Sequence, residues 1–562
     1  MINFKAIFTA QLASVLNGQL SEEAITDLIE TPKKPAHGDL AFPCFTLAKA
    51  FRKSPASIAE ETACQIQGPY IEKAEAAGPY INIFYSKEAA SAVIMEKILI
   101  EEKEYGQLND GADKTAVLDF SSPNIAKPFS MGHLRSTVIG NALGNLAEKC
   151  GYKAVRINHL GDWGTQFGKL ITAYKKWGSP DKVKENPIKE LLSLYIRFHE
   201  EAEANPALED EARSWFKELE NGNKEAGILW NWFREESLKE FQRVYDMLGI
   251  HFDSYNGEAF YNDKMESVIE ELIAKELLTE SDGADVVQLP DEDLPPCLIK
   301  KSDGATLYAT RDLAAAFYRK AAYQFDHSLY IVGQEQSIHF RQVKSVIKKM
   351  GYEWADNMTH VPFGLYLKDG KKMSTRKGRV ILLEEVLDEA VLLAKNNIEA
   401  KSPGLENKNE VAEAVGIGAI LFHDLKNDRM NNIEFSLEDM LTFEGETGPY
   451  LQYTNARAYS LLRKADDLPS AKNGLSDSYS WEITKLLYQY PEKIRQSYMQ
   501  FSPSVLAKYL IDVAQAFNKY YGQVRILEND AGIKARLALV KAVTIILSDG
   551  MQTLGMKVPQ KM

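Results

Sequence analysis

The chain has 562 residues, which is enough for three or four domains of about 150 residues each. Hydrophobic residues make up 45% and charged residues 26%, as in ordinary globular proteins, so a globally disordered chain is excluded. The net charge of −13 argues against a polybasic nucleic-acid binder, although it leaves room for a local basic surface.

The four cysteines are widely separated and form no CxxC pair: Cys44, Cys64, Cys150 and Cys297. This spacing argues against a disulfide framework and a structural zinc site, and it favours a reducing compartment. No apolar run approaches the length of about 18 residues that could span a membrane, and no secretory signal is recognisable. We therefore expect a cytoplasmic protein without a membrane partner.

The first predicted element is a helix that starts near Phe4 and stops at Asn17-Gly18, because its apolar residues recur at helical spacing. Residues 78–85 alternate after a Gly-Pro turn and predict an edge strand. The polar stretch at 109–113 is typical of a linker. We place a first, α+β domain at residues 1–112.

In the next region, strands and helices alternate in the way that is typical of a doubly wound parallel sheet. Strand, helix and strand patterns follow one another at 115–120, 132–150 and 154–158, and again at 328–332, 337–350 and 359–363. These segments predict a Rossmann-like α/β domain over residues 113–430.

A mostly helical, acidic segment interrupts this region between about 165 and 300. Residues 200–220 carry eight Asp and Glu against Arg213 and Lys217. We interpret the segment as an insertion with a solvated face.

From about residue 430 the pattern is helical to the end, and we place an all-α domain at 431–562. Residues 470–562 hold twelve Lys and Arg against seven Asp and Glu, together with several tyrosines. Basic charge among aromatic rings suits a nucleic-acid surface, but an ordinary helical bundle has the same composition.

The most informative motif is SSPNIAKPFSMGHLRS at 121–136, at the exit of a strand and the start of a helix. Gly132 would let a ligand approach the backbone, while Lys127 and His133 can donate to anionic oxygens. A helix start adds free N–H groups and the positive end of the dipole, so phosphate is the natural ligand.

A second motif, KKMSTRKGR at 371–379, has five basic residues in nine. Such a run is usually a solvated loop. Its alternative role is to neutralise polyphosphate as pyrophosphate leaves.

These two motifs resemble the HIGH and KMSKS signatures of class I aminoacyl-tRNA synthetases. The surrounding sequence is similar to the arginyl-tRNA synthetase family over nearly the whole chain. Four stretches in this order carry the narrower resemblance: 121–136, 158–168, 306–312 and 443–453.

The chain departs from both signatures. Ser130 replaces the first His of HIGH, and Thr375 replaces the second Lys of KMSKS. In this family such a loss is associated with a lysine upstream of HIGH, a position that Lys127 occupies. The resemblance implies a catalytic set of Lys127, Ser130, Gly132, His133, Lys372, Ser374, Arg376 and Lys377.

Arginine recognition requires acidic groups, because a carboxylate meets a guanidinium with two parallel hydrogen bonds. The resemblance implies that Asn124, Tyr308, Asp312 and Gln336 bind arginine, with Asp119 holding its α-amino group. An alternative for Asp312 is a helix N-cap. We expect His339 to be a structural histidine on a helix.

The remaining implied sites bind nucleotide and RNA. For ATP, supplied as its Mg²⁺ complex, they are His159, Gly161, Asp162, Gly333, Glu335 and Met373. For tRNA(Arg) they are Tyr450, Tyr453, Tyr521 and Met562 at the anticodon, and Tyr80, Asn82 and Phe84 at the D-loop. A core role fits Phe84 equally well, and Arg525 stands where relatives may carry an aromatic residue. The resemblance further implies a monomer without zinc or a permanent cofactor, in which tRNA binds before arginine is activated.

Three other interpretations compete with an arginine–tRNA ligase. A cysteinyl-tRNA synthetase would need zinc ligands that the chain lacks at matching places. A small nucleotidyltransferase of the same superfamily would be far shorter. A paralogue that binds tRNA without catalysis is opposed by the intact Lys127, Gly132, His133, Lys372, Ser374 and Asp312.

Overall fold

The computed structural model describes residues 3–301, 308–373, 375–376 and 379–562. It divides into two compact units. One comprises the residues up to 105 together with 457–490 and 512–547, and the other comprises 106–456, 491–511 and 548–562.

From residue 3 to residue 105, all of which the structure describes, the chain forms five α-helices and three strands. The helices are α1 (Phe4–Val15), α2 (Glu22–Leu28), α3 (Ala48–Phe51), α4 (Pro55–Ala63) and α5 (Lys87–Glu101), and the strands are β1 (Leu40–Pro43), β2 (Ile71–Ala77) and β3 (Tyr80–Tyr85). Helix α1 starts where expected because the Asn3 side chain accepts a hydrogen bond from the Ala6 N–H (2.9 Å).

The prediction of an edge strand at 78–85 is wrong. Strand β3 is the central strand of an antiparallel sheet with the order β1-β3-β2. Ile83 is paired with Leu40 on one side and with Ala74 on the other, and it is fully buried. An alternating pattern reports which face of a strand is buried, but not whether both of its edges are paired.

Residues 106–456 carry the other strands that the structure describes. They are β4 (Thr115–Asp119), β5 (Lys153–Ile157), β6 (Leu278–Ser281), β7 (Ala284–Val287), β8 (Cys297–Lys300), β9 (His327–Tyr330), β10 (Met358–His360), β11 (Tyr366–Lys368), β12 (Lys371–Lys372), β13 (Thr375–Arg376), β14 (Arg379–Val380) and β15 (Ile433–Glu434).

Residues 134–464 contain thirteen helices in the part of the chain that the structure describes. They are α6 (Leu134–Lys149), α7 (Thr165–Trp177), α8 (Pro180–Glu185), α9 (Pro187–Ala204), α10 (Ala207–Glu220), α11 (Lys224–Leu248), α12 (Met265–Ala274), α13 (Tyr308–Tyr323), α14 (Ser337–Lys349), α15 (Leu383–Lys401), α16 (Lys408–Leu425), α17 (Leu437–Met440) and α18 (Gly448–Lys464).

The predicted parallel sheet is present, with the order β10-β9-β4-β5 and every neighbouring pair parallel. Val117 of β4 shares a buried cluster with residues of α12, α13 and α14. Helix α6 packs against β4 and β5, and a Cβ at Gly140 would lie 2.2 Å from the Phe120 ring. Glycine therefore allows this close approach of helix and strand.

Between 165 and 300 the chain is mostly helical, as expected, but it also contains the antiparallel sheet β6-β7-β8. The C-terminal helices are α19 (Ser478–Tyr488), α20 (Tyr490–Met499), α21 (Ser504–Gln523) and α22 (Ile533–Thr553). No helix of the described residues combines the length and the apolar character that a membrane span requires.

Candidate active site

The candidate site lies where β4, β5 and β9 end, because the carboxyl ends of parallel strands share one edge of the sheet. The loops after these strands are joined by backbone hydrogen bonds. The Ile125 N–H donates to the Gly161 carbonyl (3.1 Å), and the Ile331 N–H donates to the Asp119 carbonyl (2.9 Å). Three segments that are distant in sequence are thereby held together.

The loop after β4 has an unusual backbone. Ser121, Ser122 and Ala126 have φ values of 72°, 48° and 59°, in the left-handed region that non-glycine residues rarely adopt. The Ser121 hydroxyl is held by the Thr137 hydroxyl (2.8 Å) and by the Tyr245 hydroxyl of α11 (2.8 Å). Surrounding contacts thus maintain the strained loop, as is common at functional sites. Sequence reasoning did not identify Tyr245.

Gly161 lets the Asn124 side chain lie directly against the loop after β5. A Cβ at this position would lie 2.0 Å from Oδ1 of Asn124, a predicted arginine ligand. Only glycine permits this approach, so Gly161 sets where the Asn124 side chain lies.

At the start of the helical segment, the Ser130 N–H donates to Nδ1 of His133 (3.3 Å). Burial lowers the pKa of His133 to about 4, and the charge of Lys127 contributes in the same direction. His133 is therefore neutral at pH 7, with its proton on Nε2 because Nδ1 accepts. In this state it can donate a hydrogen bond from Nε2 but carries no positive charge.

The segment after the basic motif pairs with this helix start. The Met131 N–H donates to the Ile381 carbonyl (3.2 Å), and the Leu383 N–H donates to the Phe129 carbonyl (2.9 Å). The two motifs, some 240 residues apart in sequence, are consequently neighbours in space.

Of the basic motif itself, Lys372 is exposed on β12 and Met373 is buried at 6% exposure. Ser374 and Lys377 lie outside the described residues, as does the side chain of Arg376.

A cavity of about 1030 Å³ opens beside the helix start. Its walls come from α9, α11 and the beginning of α15, and four predicted residues line it: Asn124, Lys127, Ser130 and His133. This volume is sufficient for a nucleotide-sized ligand, since small-molecule pockets usually measure about 300–1,000 Å³.

Asp119 has an internal partner that the sequence did not reveal. Its Oδ2 lies 2.8 Å from Nη2 of Arg319, a residue of α13 that is 1% exposed, and its Oδ1 accepts from the Ser122 hydroxyl (3.0 Å). Arg319 Nη2 also lies 3.2 Å from Nδ1 of His159. Burial lowers the pKa of His159, so the ring is neutral and Nδ1 accepts from the guanidinium.

Asp312 sits on α13 four residues after Tyr308, in the second turn of the helix, so the N-cap alternative is wrong. Its Oδ2 lies 2.6 Å from Nε2 of His339 on α14. Burial raises the pKa of Asp312, but the hydrogen bond and charge of His339 outweigh burial, and the pKa lies below its ordinary value. His339 is thus a direct partner of a predicted arginine ligand.

Glu258 adds a second carboxyl near Asp312, and sequence reasoning missed it. Burial, helped by the charges of Asp312 and Asp162 and opposed by that of Arg311, raises the pKa of Glu258 to about 7. A guanidinium placed between Glu258 and Asp312 would stabilise both carboxylates.

Asp162, predicted to contact nucleotide, is also bonded within the chain. It is 1% exposed, its Oδ2 lies 3.0 Å from Nε of Arg234, and its Oδ1 accepts from the Ala259 N–H (2.9 Å). Asp162 therefore shapes the loop through internal contacts.

The predicted residues around the end of β9 are accessible. Glu335 and Gln336 are exposed after this strand, beside the partly buried Gly333. Tyr308 is 67% exposed at the start of α13.

The predicted RNA contacts are distributed over both units. In one, Tyr80 and Phe84 are partly exposed, whereas Asn82 is only 4% exposed and offers RNA little surface. Tyr521, 43% exposed, has the Arg457 guanidinium 5.0 Å from its ring centre.

In the other unit, Tyr453 is 41% exposed, and Tyr450 and Met562 are partly exposed. Aromatic rings at this exposure can stack on unpaired bases.

Within the described residues, no group of three or more His, Cys, Asp or Glu is placed to hold a metal ion.

Comparison with known proteins assigns each part of the chain. Residues 94–437 match the catalytic domain of class I (R) tRNA synthetases, residues 451–562 the DALR anticodon-binding domain, and residues 3–85 the arginyl-tRNA synthetase N-terminal domain.

The chain is 58% identical over 562 residues to arginine–tRNA ligase 1 of Bacillus cereus, covering all of both chains. It is 59% identical over 563 residues to the arginine–tRNA ligase of Exiguobacterium sibiricum, again covering all of both. Among solved structures, arginyl-tRNA synthetase of Plasmodium falciparum matches with a TM-score of 0.80 and 26% identity over 99% of this chain and 98% of that one. The Thermus thermophilus enzyme has the same fold, with a TM-score of 0.80, 24% identity and complete coverage of both chains.

These matches confirm the resemblance and the predicted fold class: the chain belongs to the arginyl-tRNA synthetase family of class I aminoacyl-tRNA synthetases.

Proposed function

We propose that this protein is an arginine–tRNA ligase. It activates L-arginine with ATP, bound as the Mg²⁺ complex, and transfers the arginyl group to the 3′-terminal adenosine of tRNA(Arg). The proposal rests on full-length identity to arginine–tRNA ligases. The observation that supports its mechanism is the pairing of residues 129–131 with 381–383, which holds the segment directly after the basic motif beside the helix start and its cavity.

In the first step, an arginine carboxylate oxygen attacks the α-phosphorus. The bond to the β-phosphate oxygen breaks, and pyrophosphate leaves. Lys127 and neutral His133 stand at the cavity wall, where they can stabilise charge on the phosphate oxygens, and Lys372 supplies a further cation. Oriented charges of this kind are the main source of rate in phosphoryl chemistry.

The side chain of arginine is recognised by its charge. Asp312 and Glu258 provide two carboxyls whose charges interact, and the Glu258 N–H donates to the Leu160 carbonyl in the loop after β5 (2.9 Å). Tyr308 and Gln336 are exposed and can reach the same ligand. Asn124 and Asp119 lie toward the reacting carboxyl, where the α-amino group would bind. A neutral side chain of similar length would bring no positive charge to these two acids, so it would bind less tightly than arginine.

In the second step, the 2′-hydroxyl of the terminal adenosine attacks the arginyl carbonyl. The hydroxyl proton is lost, and AMP leaves. Tyr450, Tyr453, Tyr521 and Met562 contact the anticodon region, and the N-terminal domain around Tyr80 and Phe84 contacts the D-loop. The protein acts in the cytoplasm as a monomer, and tRNA binds before arginine is activated.

The test is charging of a tRNA(Arg) transcript by the purified full-length protein with ATP and MgCl₂. We expect incorporation of arginine, but not of lysine or cysteine, and no pyrophosphate exchange unless tRNA is present. Binding of the transcript without charging would instead indicate a non-catalytic paralogue. Light scattering after gel filtration tests the monomer.

A further inference from the structure

Three side chains form a buried polar group between the two motifs. Arg135 follows His133 by two residues on α6, Asp424 belongs to α16, and Tyr366 belongs to β11. They are 1%, 1% and 5% exposed. We call them the anchor triad.

Asp424 joins the other two members through one oxygen. Its Oδ2 accepts from Nε of Arg135 (3.2 Å) and from the Tyr366 hydroxyl (2.5 Å). The Arg135 guanidinium also donates from Nη1 to the Asn431 carbonyl (2.8 Å). The helix that carries His133 is thus tied to the strand that leads into the basic motif.

Tyr366 lies at the start of the β11–β12 hairpin that carries Lys372 and is hydrogen-bonded to the residue directly after its other strand. Strand β11 pairs with β12 in the register Leu367 opposite Lys372, and the Met373 N–H donates to the Tyr366 carbonyl (2.8 Å). A shift of Tyr366 therefore moves Met373 and Lys372 directly.

Stability alone does not account for the anchor triad. Arg135 Nη2 and Asp424 Oδ1 are buried without a hydrogen-bond partner among the described residues. Burying an incompletely bonded ion pair is costly, and well-packed apolar side chains often serve stability as well or better. What an ion pair with a shared oxygen adds is a fixed geometry between three elements.

We propose that Arg135, Asp424 and Tyr366 are positioning residues that set the distance between the His133 helix start and Lys372. This inference rests on the proposed function. A misplacement of about 1 Å in a catalytic group can lower the rate by about 100-fold, so small losses in the anchor triad should be visible in kcat.

The most conservative test is Tyr366→Phe, which removes one hydroxyl and keeps the ring. Its matched control is Tyr352→Phe, since the Tyr352 hydroxyl donates to a carboxylate, Glu271 Oε1 (2.7 Å), away from both motifs. We expect Tyr366→Phe to lower kcat for arginylation about tenfold or more, with KM for arginine within about twofold of wild type. The control should keep its kcat.

A second variant tests whether the three residues act as one unit. Asp424→Asn should lower kcat in the same way, and Tyr366→Phe combined with Asp424→Asn should be no worse than Asp424→Asn alone. Full kcat of Tyr366→Phe, with any loss confined to Tm, would overturn the inference, as would additive effects in the double variant. An inactive wild type would refute the proposed function and this inference with it, whereas an active wild type with a fully active Tyr366→Phe refutes this inference alone.

Discussion

The charge of Asp312 provides the sharpest test of substrate recognition. Asp312→Asn keeps the size of the side chain and its ability to bond His339, which lies 2.6 Å away, but removes the negative charge offered to a guanidinium. The side chain is 28% exposed, so its interaction with arginine is only partly screened by water. A charged hydrogen-bond pair in such a place contributes about 2–4 kcal/mol, which corresponds to a loss of about 30- to 1,000-fold in kcat/KM for arginine.

The assay is steady-state arginylation with arginine and ATP varied separately. We expect KM for ATP to stay within about twofold, because Asp312 faces the amino-acid side of the site. Asp356→Asn is the control, since this acid binds Lys348 on the surface at 65% exposure. Equal effects on arginine and ATP, or a loss smaller than about threefold for arginine, would refute the assignment.

Four further predictions concern other parts of the site. Lys127→Ala should lower pyrophosphate exchange by about 100-fold or more with an unchanged Tm, because it removes a cation from the phosphate cavity; near wild-type exchange would show that Lys127 does not compensate for Thr375. Since burial raises the pKa of Glu258 to about 7, KM for arginine should rise as pH falls below 7 and the carboxyl gains a proton, and Glu258→Gln should remove this dependence in a pH series. The same raised pKa makes the folded protein lose stability, by about 3 kcal/mol, as pH rises from about 4.5 to 7, so Glu258→Gln should have the higher Tm at pH 8; an equal or lower Tm would contradict this. Gly161→Ala should raise KM for arginine and destabilise the fold by about 1–3 kcal/mol, as measured by urea unfolding, because its Cβ would lie 2.0 Å from Asn124 Oδ1; unchanged values would show that the loop yields freely.

Local patterns were sufficient for much of the fold. The strands at 115–119 and 153–157 and the helices at 134–149 and 337–349 lie within two residues of their predicted bounds, because hydrophobic periodicity and glycine stops act over short segments. The family, too, followed from motifs that are contiguous in sequence. The individual site residues remain predictions until variants are measured.

Partners that are distant in sequence were not predictable in this way. Arg319 forms an ion pair with Asp119, which lies 200 residues earlier in the sequence, and the Tyr245 hydroxyl bonds that of Ser121, 124 residues earlier. His339, which we expected to be a structural histidine, bonds Asp312. The sequence around a residue does not specify which distant charged group its side chain will contact, since that contact depends on how the helices pack on the sheet.

The amino-acid sequence by itself determined the class of fold and the family, and it supplied the residue types that we propose bind phosphate and guanidinium. The tertiary structure decided which strand became central, which acids were already neutralised by Arg319 and Arg234, and which histidines are uncharged. The reason is physical: propensity and periodicity are properties of neighbouring residues, whereas burial and ion pairing arise only when separate elements pack together.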